Sequence, residues 1–141
     1  MTAWEYLNQA YRLDQRINSD IEEIARLREM ARGISVSSAE EKVQATRNTD
    51  APFVRCLEKI YDLEETVNRE IDTLVDLKRQ IRTVVESVPN INERIVLRYR
   101  YIHNMTWEQI GSELNVNEKT VRRWHKAALS ALVLPPDPIK I

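Results

Sequence analysis

Met105-Thr-Trp-Glu-Gln-Ile-Gly-Ser-Glu-Leu-Asn-Val-Asn-Glu-Lys-Thr-Val-Arg-Arg-Trp124 decides the fold of the C-terminal part of this 141-residue chain. Ile110, Gly111, Leu114, Val116, Val121 and Trp124 fall where two short helices joined by a tight turn place their shared core. Gly111 is small enough for the second helix to cross closely, Asn115 tolerates the left-handed conformation of a turn, and Val116 plugs the underside of that turn. Thr106 and Gln109 have the T-x-x-Q spacing of a capping box for the first helix, and Asn117 is a suitable N-cap for the second. The stretch therefore predicts a helix-turn-helix.

The second helix of that motif has two faces. Val121, Trp124, Ala128 and Leu132 point inward, whereas Lys119, Arg122, Arg123 and Lys126 project from the opposite side. Such a face suits double-stranded DNA: the long cationic groups can bind phosphates, and an arginine near the front of the helix can read guanine O6 and N7 together in the major groove. Asn117, Glu118 and Thr120 at the helix start can reach base edges or bond the phosphate backbone. Trp107 and Trp124 read as packing residues rather than a stacking platform for bases.

Upstream, Tyr6, Ala10, Leu13, Ile17, Ile21, Ile24, Leu27 and Ala31 recur at three- and four-residue steps and predict one long helix from Ala3 to about Arg32. Gly33 stands where a C-cap is expected, with Arg28 and Arg32 in the last turns. Residues 34–52 are polar and lack a sustained apolar face, which predicts a flexible connector. Within it, Ser38 and Glu41 have the spacing of a capping box. A second helix is expected from near Pro52, capped by Asp50, to Val88, where Pro89 breaks it.

Ile60, Val67, Leu74, Ile81 and Val88 repeat every seven residues, the spacing of a coiled-coil seam. At about 1.5 Å per residue the two long helices reach roughly 45 to 55 Å and match as arms of an antiparallel hairpin. Leu63, Leu77 and Val84 lie on one side of the seam, with Leu57 and Val75 on the other, so the apolar band is wider than one neighbour covers. Pairing two hairpins into a four-helix bundle, as a homodimer, would cover it; the alternative cover is the C-terminal domain folded back upon it.

Composition fits this all-α reading and narrows the function classes. The chain is 43% hydrophobic and 30% charged, with two glycines, too few turn-formers for an all-β fold. No apolar run approaches the roughly 18 residues of a membrane span, and no signal-peptide pattern opens the sequence, so a cytoplasmic protein is expected. The net charge of −1 hides an asymmetry: residues 89–141 carry eight Lys/Arg against five Asp/Glu, and residues 1–88 carry thirteen against seventeen. The positive field thus lies on the helix-turn-helix side.

Lone Cys56 reads as a buried thiol on an apolar helix face. Glu64, Glu65, Glu70, Asp72 and Asp76 alternate with Arg69, Lys78 and Arg79 as the wet side of a helix. His103 and His125 sit on different expected helices and read as structural or solvated. With no phosphate loop, metal-ligand cysteines or activated nucleophile, the sequence argues against an enzyme and implies no cofactor and no metal.

The segment from Pro89 to Leu132 resembles region 4 of sigma factors of the sigma-70 class. Glu93-Arg-Ile-Val-Leu-Arg-Tyr-Arg-Tyr101 is similar to its leading helix, Met105 to Leu114 to its support helix, and Val116 to Leu129 to its recognition helix. Nothing before Pro89 resembles sigma region 2. With an N-terminus opening Trp4-Glu-Tyr-Leu-Asn-Gln-Ala-Tyr-Arg-Leu-Asp-Gln-Arg-Ile17, the whole chain resembles a family of small phage and prophage proteins of Gram-positive bacteria described as late-gene transcription regulators. The resemblance implies a hairpin domain over 1–88, a helix-turn-helix domain over 89–134 and a tail over 135–141. It implies a sequence-specific regulator bound to double-stranded DNA. The competing readings are an adaptor docking on RNA polymerase or another regulator, and a DNA-packaging recognition subunit.

Overall fold

The computed structural model describes the backbone of residues 1–40 and 46–141 and the side chains of residues 1–34 and 51–141. The protein is all-α, with no strand among the described residues. Its helices are α1 (Ala3–Glu40), α2 (Thr46–Glu86), α3 (Ile91–Leu97), α4 (Trp107–Leu114) and α5 (Glu118–Ala131), and a π-helical turn, Arg98–Ile102, continues α3.

Helix α1 starts at a reciprocal cap: the Glu5 N–H donates to Thr2 Oγ1 at 3.1 Å and the Thr2 N–H donates to Glu5 Oε2 at 3.2 Å. It does not stop at Gly33. No glycine has positive φ, and α1 runs on to Glu40. An interior glycine costs a helix only about 1 kcal/mol relative to alanine, so without a left-handed turn beyond it the helix continues. Likewise α2 begins at Thr46 rather than near Pro52, which lies inside the helix and forfeits one i→i−4 hydrogen bond. The expected connector is therefore helical over 34–40 and 46–52, and Asp50 is not the residue before the helix. The Ser38–Glu41 capping box lies outside the described residues.

The described chain forms two compact units, Gln15–Asp72 and Met1–Asp14 with Thr73–Ile141. In the first, Ile17, Ile24 and Ala31 of α1 and Ile60 and Val67 of α2 are buried, all at seven-residue intervals. The Arg28–Glu64 ion pair and the approach of Asp20 to Glu70 set the two segments antiparallel. One side of this unit stays wet: Ile21, Leu57, Tyr61 and Ile71 are 40–61% exposed. Ile21 thus leaves the inward stripe expected of it, and Cys56 is half-buried rather than enclosed.

The second unit buries Tyr6, Leu7, Ala10 and Leu13 of α1, Leu74, Leu77, Ile81, Val84, Val85 and Val88 from α2 and the link after it, and Val96, Leu97, Tyr101 and Ile102 beyond. Here the wide apolar band at Leu77 and Val84 is covered within the unit that carries the C-terminal helices. The junction between α2 and α3 is tied locally. Asn90 accepts from the N–H groups of Asn92 and Glu93, Arg94 Nε donates to the Val88 carbonyl at 3.0 Å, and Arg98 pairs with Glu86 at 2.9 Å.

Candidate nucleic-acid interface

Helices α4 and α5 meet through Ile110 and Val121, fully buried together with Val96 of α3, while Met105, Trp107, Leu114, Val116 and Trp124 pack around them. Thr106 and Gln109 form the expected capping box, with bonds of 3.1 and 2.9 Å. Asn115 adopts the left-handed conformation, φ 58°, that reverses the chain between the helices. A Cβ on Gly111 would stand 2.9 Å from the Val116 carbonyl oxygen, so the closest approach is to the turn itself, with the first residue of α5 next at 3.7 Å.

Asn117 caps α5 and is largely occupied in doing so: its side-chain oxygen accepts from both the Thr120 N–H and the Thr120 hydroxyl at 2.8 Å. These two residues shape the helix start. Lys119, Arg122, Arg123 and Lys126 are all exposed and lie within an arc of about 100° on α5, opposite buried Val121 and Ala128. Trp124 is half-buried on the flank. The basic face read from the sequence is thus assembled on one side of one helix. Arg122 differs from its neighbours because its Nε and Nη2 donate to Glu118 Oε1 at 3.3 and 2.9 Å, with its guanidinium carbon 5.5 Å from the Trp107 ring centroid. An exposed i,i+4 pair of this kind is worth only about 0.3–0.5 kcal/mol, so it pre-aims Arg122 without locking it.

Behind the face lies a cluster with no motif of its own. Arg100 sits between two rings, 4.4 Å from the centroids of both Tyr11 and Trp107, and donates to the Met105 carbonyl at 3.0 Å. The π-helical turn inserts an extra residue here, and its wide hydrogen bond runs from the His103 N–H to the Arg98 carbonyl at 3.1 Å. His125 lies edge-on to Trp107 at 4.6 Å and 2.7 Å from the Tyr101 hydroxyl. Burial, then the charges of Arg100 and Arg122, lowers the His125 pKa to about 4, and burial raises that of Tyr101 to about 12. At neutral pH the phenol is protonated and the imidazole uncharged. His125 is therefore a structural residue of the α5 flank, while His103 is exposed.

Sequence reasoning missed Arg100 and Tyr11 because their contact joins residues far apart in the chain. The only local hint was the crowding of Arg and Tyr between residues 98 and 101. No group of metal-binding side chains occurs among the described residues, and none of their helices is long and apolar enough to cross a membrane.

No curated protein and no solved structure matches the chain. Residues 90–132, less than half of it, match the family model described as sigma-70, region 4. These residues form a sigma-70 region 4-like helix-turn-helix, a DNA-binding module.

Proposed function

We propose that the protein is a sequence-specific regulator of transcription, acting on phage or prophage genes, that binds double-stranded DNA as a homodimer. The observation that carries this reading is the undivided basic face of α5, Lys119, Arg122, Arg123 and Lys126, on a helix whose opposite side is core. In this mechanism α5 enters the major groove, Arg122 reads a base edge from the position Glu118 gives it, and Lys126 meets phosphate. The exposed side formed by Ile21, Leu57, Tyr61 and Ile71 favours pairing of two chains through their long helices. Two linked recognition helices then require an operator with two half-sites at a fixed separation.

Selection of bound sequences from a random duplex pool at moderate salt tests the proposal. A recurrent motif repeated at one spacing is expected; recovery of no motif would remove the sequence-specific reading. A steep fall of affinity with salt separates DNA binding from docking on RNA polymerase through an apolar surface.

A further inference from the structure

The segment after α5 lies across the α1 and α2 portions of its own unit, and two glutamines hold it by its main chain. Gln80 donates from Nε2 to the Asp137 carbonyl at 3.0 Å and accepts on Oε1 from the Ile139 N–H at 2.9 Å. Gln9 repeats the pattern two residues on, donating to the Ile139 carbonyl at 2.9 Å and accepting from the Ile141 N–H at 2.8 Å. Each side-chain amide thus bridges a C=O and an N–H two positions apart, as a neighbouring β-strand would.

Both glutamines are themselves held. The buried Tyr6 hydroxyl donates to Gln80 Oε1 at 2.7 Å, and Gln9 Nε2 also donates to the Tyr6 carbonyl at 3.1 Å. Burial pushes the Tyr6 pKa up to about 12, so its hydroxyl stays a donor. Pro135, Pro136 and Pro138 stiffen the segment and lower the entropy lost on ordering it. Leu134, Pro135, Pro138 and Ile139 are half-buried.

We propose that Tyr6, Gln9 and Gln80 form a peptide-binding site that reads the main chain of an extended, proline-containing segment, and that residues 134–141 of this chain are its resident ligand. Because that segment continues from Leu132 at the end of α5, its seating straps the recognition helix to the α1 and α2 portions of the unit. The proposal stands apart from DNA binding, since none of Lys119, Arg122, Arg123 and Lys126 takes part in these hydrogen bonds.

Hydrogen exchange on the full-length chain, followed by NMR, tests it. The Ile139 and Ile141 amides are expected to be protected. Gln80→Ala should speed exchange at Ile139 and Gln9→Ala at Ile141, each by roughly tenfold, while the Ile110 and Val121 amides keep their protection and report an intact fold. A synthetic peptide of residues 134–141, added in large excess, should speed exchange of the chain's own Ile139 and Ile141 by displacing them. Unprotected tail amides in the wild type, or protection unchanged by both substitutions, would overturn the assignment. A peptide that fails to compete at millimolar concentration would overturn the claim that the site is an exchangeable receptor.

Discussion

Replacing His125 by phenylalanine tests how the recognition helix is held against the rest of its domain. The variant keeps a ring beside Trp107 but removes the nitrogen that lies 2.7 Å from the Tyr101 hydroxyl. At pH 7.5 the enclosed phenol is left unpaired, and the variant should lose about 1–3 kcal/mol of stability. The pH dependence moves the other way. The wild-type imidazole has a folded pKa of about 4 against an ordinary value of 6.5, so between those values the unfolded chain binds a proton that the folded chain does not.

Wild-type stability therefore falls as pH drops from 6.5 towards 4. A shift of this size corresponds to about 3 kcal/mol for a fully enclosed ring. Solvent reaches part of this one, so about 2 kcal/mol is expected. His125→Phe lacks that loss, and carboxylate titration common to both proteins cancels in the difference. Urea unfolding followed by tryptophan fluorescence at several pH values should show a gap between wild type and variant that closes on acidification. Parallel curves, or an NMR titration placing His125 near its ordinary value, would refute the reasoning.

Three further outcomes are expected. Glu70→Gln should raise the melting temperature at pH 7 and lose that advantage in acid, because burial, then the hydrogen bond and charge of neighbouring Asp20, raises the Glu70 pKa; thermal scans at pH 7 and pH 4 check this. The sign follows because a carboxyl with a raised folded pKa favours the folded state only while protonated. Gly111→Ala should destabilise by about 1–3 kcal/mol in chemical denaturation, since its Cβ would meet a backbone oxygen at 2.9 Å that cannot rotate away. If the DNA-reading proposal holds, Arg122→Ala should cost about 1–3 kcal/mol on the selected operator and little on scrambled DNA, whereas Lys126→Ala should weaken both alike in a fluorescence-anisotropy titration.

The sequence by itself determined the features that act over a turn or two of chain. The T-x-x-Q cap at Thr106, the left-handed Asn115, the inward line of Val121 and Ala128 and the outward basic face all follow from fixed helical spacing. The heptad line from Ile60 to Val88 was legible for the same reason. Helix ends were read less well: Gly33 and Pro52 are usual boundary residues, but each costs a helix a limited amount, and the helices run past both.

Tertiary structure alone decided which parts of the apolar band are covered, that Arg122 lies near the Trp107 ring, and how Arg100 comes to lie between Tyr11 and Trp107. It also brought Gln9 and Gln80 to the backbone of residues 137–141, more than fifty positions from either glutamine. No periodicity records such a contact, because main-chain recognition leaves almost no demand on the side chains being recognised. Helical spacing fixes which residues share a face. Only the packed chain fixes what that face meets.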